Sequence, residues 1–173
     1  ASPSRPGGCV RKPPACACIS AASSSRARDI SGVGGLEQAE ALELLCTEQR
    51  LHYPYWVAMA AIFRGADLVA RKRAEEGLGR MVQALRDYQA SGAGTLLTYW
   101  LALLAQAFAD AERGPDAFST LAEADEWVRR TDQCWVQAEL HRLRGQVLLR
   151  ASAADHDDVE AAFHEAIAVA RAQ

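Results

Sequence analysis

Catalysis needs reactive side chains held at fixed spacing, and the sequence offers few places where that condition is met. Ser31-Gly32-Val33-Gly34-Gly35 is glycine-rich, as a phosphate-cradling loop must be. Such a loop also needs a Lys to meet the terminal phosphates, and no Gly-Lys-Ser/Thr follows, so the segment reads as a flexible linker into Leu36. Cys9, Cys16 and Cys18 give the spacing C-x6-C-x-C, three thiols where structural zinc wants four closely paired ligands. His156, Asp157, Asp158, Glu160 and His164 form a second donor cluster. In it Glu160 and His164 are four apart and share a helix face, the spacing of an exposed Glu–His pair. Cys46 and Cys134 have no His at an activating spacing and read as small buried hydrophobes. His141, between Leu140 and Arg142, reads as a surface residue of a helix, and Arg71-Lys72-Arg73 as a basic turn, solvated or touching an acidic partner. The sequence thus predicts no catalytic residue, no metal site and no cofactor.

The elements that would position any site are helices. Ala and Arg, both strong helix formers, dominate: 17 of the 19 bases are Arg, and Val, Ile and Thr are scarce. The fold class expected is all-α. A length of 173 residues accommodates one domain plus a tail. Residues 1–33 hold four of the six prolines, a Ser23–Ser25 run and five bases before the first acid, Asp29. Such a stretch buries too little apolar surface to offset the ordering of its backbone, so a disordered tail is expected there. It shares its Ser and Arg content with a transit leader but lacks amphipathic Arg spacing. A chain starting with Ala and holding two Met reads as a piece or processed form of something longer.

From residue 34 onward 14 bases face 21 acids, so the folded part, 34–173, is acidic within a chain of net charge -3. That excludes a general nucleic-acid binder, which needs a basic field. The 22 uncharged residues between Asp87 and Asp110 match a membrane span in length. Gln89 to Gly94 reads as a loop, however, and the remaining apolar helix, Leu96 to Ala109, is about 21 Å long against a hydrocarbon core of about 30 Å. No membrane span is expected, and with no recognisable export signal the expected location is cytoplasmic.

Shifting the chain against itself reveals a period of 40 residues. Gly65, Ala105 and Gly145 keep it, as do Leu68, Phe108 and Leu148. Gly77 matches Ala117, Met81 matches Leu121, and Ala84 matches Ala124. The third copy continues through Val159, Phe163 and Ala166 with two extra residues, which the polar stretch Ala153 to Asp158 holds as a longer turn. Small residues let two antiparallel helices approach, and large ones fill the groove beside them. A single pair cannot cover its apolar face, so pairs must stack in series. The pattern predicts a helix over Leu36–Arg50 and then three pairs: Tyr55–Ala70 with Ala74–Ala90, Thr95–Ala111 with Pro115–Arg130, and Cys134–Ala151 with Asp157–Ala170. Trp56, Trp100, Trp127 and Trp135 are expected in the core or between repeats.

The arrangement resembles the tetratricopeptide family: Gly65, Gly77 and Ala84, then Ala105, Ala117 and Ala124, then Gly145, Val159 and Ala166 fall where that family places small residues. The unit is about 40 residues rather than 34, Ala61, Leu101 and His141 stand where the family has an early aromatic, and Val159 is not small. A narrower likeness lies in "YWLALLAQAFADAERGPDAFSTLAEADEWV", "CWVQAELHRLRGQVLL" and "EAAFHEAIAVARAQ". This region, roughly 53–173, is similar to the carboxy-terminal repeats of bacterial ATPases fused to class III adenylate or guanylate cyclase domains, with relatives among MalT-like transcription regulators. The resemblance implies an α-solenoid of stacked antiparallel helix pairs, a bacterial signal-transduction scaffold without its own catalysis. The chain would be a fragment of a cyclase, ATPase or ATP-binding regulator whose catalytic modules lie elsewhere. It also implies a concave groove along the first helices, lined by Met59 and Ile62, Tyr99 and Gln106, and Glu139, Arg142 and Gln146. An extended peptide, a protein partner or another domain of the same polypeptide would lie there.

Overall fold

The computed structural model describes residues 54–151 and 155–173. These form six helices: α1 Pro54–Ala70, α2 Ala74–Ala90, α3 Leu97–Asp110, α4 Gly114–Thr131, α5 Gln137–Arg150 and α6 His156–Ala172. A single 3-10 turn, Cys134–Val136, precedes α5, and no strand occurs among the described residues. The predicted tail and the predicted helix over Leu36–Arg50 lie outside the described residues.

The 40-residue period reappears in the helix boundaries. α1, α3 and α5 end at 70, 110 and 150, and α2 and α4 begin at 74 and 114. Two of these ends have the same backbone chemistry. At the first, Arg73 N–H reaches back to Leu68 O at 2.9 Å and Lys72 N–H to Val69 O at 3.0 Å, with Lys72 left-handed at φ 65°. At the second, Arg113 N–H reaches Phe108 O at 2.9 Å and Glu112 N–H reaches Ala109 O at 3.2 Å, with Glu112 at φ 60°. Both satisfy the orphan carbonyls of a helix end through one left-handed residue. The helices that follow start with acids beside the positive end of the dipole: Glu75 and Glu76 in α2, Asp116 in α4. In α6 the Asp155 carboxylate accepts from Asp157 N–H at 3.2 Å, a side-chain cap on the first turn.

Each helix packs chiefly on its sequence neighbour, α1 with α2, α3 with α4 and α5 with α6, and each pair then touches the next through α2–α3 and α4–α5. Small residues set the crossings. A Cβ added at Gly65 would strike Met81 Cγ and stand 2.7 Å from Gly77 O; one added at Gly77 would stand 2.7 Å from Val69 Cγ2. The α1–α2 contact is therefore nearly backbone on backbone. In the third pair the ring of Phe163, at the repeat position of Met81, stands 3.0 Å from the same point at Gly145. A small residue thus faces a large one, as the sequence spacing predicts.

Aromatic side chains bind the pairs together. Tyr88 of α2 and Trp100 of α3 are fully buried, 6.2 Å apart between ring centroids. Tyr55 packs on Tyr88 at 5.4 Å and Phe63 meets Trp100 edge-on at 5.3 Å. Leu96 N–H donates to Tyr88 Oη at 3.3 Å, so the start of the second pair is held by a phenol of the first. Two ion pairs tie the second pair to the third: Arg150 to Asp110 at 3.0 Å and Arg144 to Asp125.

The predicted boundaries shift where turns intervene. α5 begins at Gln137 instead of Cys134, because the chain leaves α4 through Asp132 at φ 55° and winds as a 3-10 turn first. α3 begins at Leu97 instead of Thr95, after a turn in which Leu97 N–H bonds Gly94 O. Among the described residues no helix is long and apolar enough to cross a membrane.

Candidate binding face

The seven residues expected to line a groove separate into two groups. Met59 and Ile62 are buried core residues of α1, so they present nothing to a partner; an apolar side chain gains more by burial than by display. Tyr99, Gln106, Glu139, Arg142 and Gln146 are half-buried and reach the surface on α3 and α5. Those two helices are in contact, and spacings of three, four and seven place these residues on one face of each.

At one end of this face lies an aromatic shelf. The Tyr99 ring stacks on Trp135 at 6.1 Å with 24° between the planes, and meets Trp100 edge-on at 4.9 Å. Burial raises the Tyr99 phenol above its ordinary range, and the nearby Glu139 carboxylate raises it further. Glu139 is itself engaged: Arg142 Nε and Nη2 donate to its two oxygens at 2.7 and 2.6 Å. That bidentate hydrogen bond raises the Arg142 guanidinium, against the opposing effect of burial and with the added pull of the Glu139 charge.

One turn further along α5, Gln146 carries a buried Oε1 with no hydrogen-bond partner. On α3, Gln106 Nε2 donates to Asp110 Oδ1 at 2.9 Å, and the same oxygen accepts from Arg150 across the pair boundary. Beyond this lies an open cavity of about 850 Å3, with Val69, Ala109, Pro115 and Val147 among its apolar walls and Asp110 and Arg150 among its polar ones. From Tyr99 to Asp110 the face runs about 16 Å along α3. It therefore offers an aromatic shelf, a row of amide and ion-pair groups, and an apolar recess in sequence.

Trp135, Asp110, Arg150 and the recess were not among the residues expected from sequence. Trp135 joins the face from the 3-10 turn before α5, through its stack on Tyr99. Asp110 and Arg150 occupy one repeat position with opposite charge, a sequence-level sign of an ion pair between neighbouring units. The other tryptophans behave differently from one another: Trp100 is core, Trp127 lies against Gly94 with Arg130 over its ring at 5.5 Å, and Trp56 is exposed.

The remaining candidates are scattered. His164 and Glu160 form an exposed pair at 3.2 Å. Among the described residues no three His, Cys, Asp or Glu side chains converge as metal ligands. Cys134 stands half-buried in the 3-10 turn and is disulfide-bonded, a correction to its reading as a buried free thiol on a helix. Arg71 and Arg73 of the basic turn are held by Asp67 at 2.6 Å and Glu76 at 2.5 Å. Cys9, Cys16, Cys18, Cys46 and the Ser31–Gly35 segment lie outside the described residues.

No protein-family model, no curated protein and no solved structure matches this chain.

Proposed function

We propose that the helical pairs form a non-catalytic interaction module, an α-solenoid of tetratricopeptide-like units, that holds an extended peptide along α3 and α5. The observation that carries this reading is the row of half-exposed Tyr99, Glu139, Arg142 and Gln146 side chains on two adjoining helices, running from the Trp135 shelf toward an apolar recess. At about 3.3 Å per extended residue, the 16 Å face takes roughly five residues. Aromatic contact would be made at Trp135 and an apolar side chain would enter the recess near Val147. In keeping with the likeness of the repeat region, we place the module in a bacterial, cytoplasmic signalling ATPase or nucleotide cyclase, with the peptide supplied by a partner or by another segment of the same polypeptide.

The test is selection of phage-displayed random peptides on the wild-type chain and on the Tyr99→Ala/Arg142→Ala variant. Peptides enriched on the wild type and lost on the variant support the reading; equal enrichment removes the face as the site. Millimolar ATP or GTP should leave the thermal midpoint unchanged. A nucleotide-dependent rise would contradict a module without its own nucleotide chemistry.

A further inference from the structure

An unbroken line of oxidisable rings runs from α1 through the core to the turn before α5. Trp56 meets Tyr55 edge-on at 5.1 Å, Tyr55 packs on Tyr88 at 5.4 Å, and Tyr88 meets Trp100 at 6.2 Å. Trp100 meets Tyr99 at 4.9 Å, and Tyr99 stacks on Trp135 at 6.1 Å. Each separation is that of two aromatic rings in direct contact. The inner rings Tyr88 and Trp100 are buried, while Tyr99 and Trp135 are half-buried and Trp56 is exposed. Indole and phenol lose an electron far more readily than a phenyl ring does. Phe63, edge-on to Trp100, is therefore a side branch and not a step. Trp127, against Gly94 with Arg130 over its ring, stands off the line.

We propose that this line is a relay for one-electron oxidising equivalents between Trp56 and the Tyr99–Trp135 shelf. Electron tunnelling falls exponentially with separation, so short steps between touching rings carry a charge that one long step does not. A diffusible one-electron oxidant takes an electron from the ring at one end, and each ring is refilled from the next. The electron travels one way and the vacancy the other. A tyrosine releases its phenolic proton as it is oxidised and takes one back when it is reduced. The balance is one electron to the oxidant and one electron from a reductant of the thiol or ascorbate class at the far end. The interior favours passage over arrest. Trp100 Nε1 is buried without a hydrogen-bond partner, so its radical cation has no acceptor for its proton. A positive charge kept in apolar surroundings is costly, and the vacancy moves on to rings that reach the surface. The relay does not depend on what the candidate binding face holds.

Flash photolysis of the full chain tests it. A ruthenium photo-oxidant is attached through an azidophenylalanine introduced in place of Trp56, and a soluble acceptor quenches it to a one-electron oxidant beside Tyr55. Peptide mass spectrometry should find ring oxidation at Tyr99 and Trp135, with Trp127 unmodified and a yield per molecule independent of protein concentration. Trp100→Phe keeps a ring in the core but removes a step, so oxidation should be lost from Tyr99 and Trp135 and remain at Tyr55 and Tyr88. Tyr88→Phe should give the same loss, with helical content equal to the unbroken line by circular dichroism. Oxidation confined to Tyr55 when every step is present overturns the proposal. Modification of Trp127 equal to that of Trp135, or oxidation at Trp135 that survives both interruptions, also overturns it.

Discussion

The ring of Tyr99 stacks on that of Trp135 across the boundary between the second and third helix pairs, 6.1 Å apart and 24° from parallel. One contact thereby does two things: it fastens α3 to the turn before α5, and it forms the shelf at the end of the candidate binding face. The Tyr99 phenol is raised by burial first and by Glu139 second. A folded-state pKa above the unfolded value of 10.0 means that folding favours the neutral phenol. Its stabilisation is whole below pH 10 and is lost as pH rises through the folded pKa. Ultraviolet titration of the wild type minus Tyr99→Phe should show this tyrosine ionising above pH 10. In Glu139→Gln its midpoint should fall yet stay above 10, because the larger cause remains; a midpoint at or below 10 would contradict the buried stack.

The crossing of α1 with α2 is intolerant of side-chain volume. Gly65→Ala forces a methyl onto Met81 and the Gly77 carbonyl, and overpacking of this kind costs about 1–3 kcal/mol. Gly79, on the exposed side of α2 with open space around its Cα, behaves oppositely. Gly79→Ala should add about 0.5–1 kcal/mol by restricting the unfolded chain. Urea unfolding of the two variants separates crossing from surface, and equal effects would refute the close approach.

The turns at Lys72 and Glu112 hold non-glycine residues left-handed at φ 65° and 60°. Left-handed backbone costs an ordinary residue about 1–2 kcal/mol, part of which glycine recovers at a helix end. Lys72→Gly and Glu112→Gly should each raise stability by about 0.5–1 kcal/mol, additively, since the two turns belong to separate pairs. Thermal unfolding measures both.

Trp100 is the centre of the aromatic chain, touching Phe63, Tyr88 and Tyr99. Trp100→Ala leaves a cavity between the first and second pairs and should cost about 3–5 kcal/mol, and hydrogen exchange should rise in α2 and α3 together. An effect confined to α3 would mean that the pairs do not support one another.

The sequence made the helix pairs legible because both signals involved are local. Ala74–Ala90 agrees at both ends with the helix expected, and the 40-residue spacing of Gly65, Ala105 and Gly145 marked the first helix of each pair. The turn at Cys134–Val136 was not legible, since it depends on Asp132 taking a left-handed conformation that no glycine announces. The candidate face was half legible. Polar residues at its positions, Gln106, Glu139, Arg142 and Gln146, reach the surface, whereas Met59 and Ile62 at the same frame positions sink into the core because they are apolar. The exposure of Trp56 was illegible for a different reason: Leu96 and Val136 at the same repeat position are buried, and spacing alone does not separate the three.

The most direct test of the binding face is amide chemical-shift mapping of the isotopically labelled chain with a peptide selected on the wild type. The account predicts that shifts concentrate in Leu97–Asp110 and Gln137–Arg150, with the Gln146 side-chain amide and Trp135 indole among the largest. Shifts confined to α2, α4 and α6, with Gln146 and Trp135 unmoved, would contradict it.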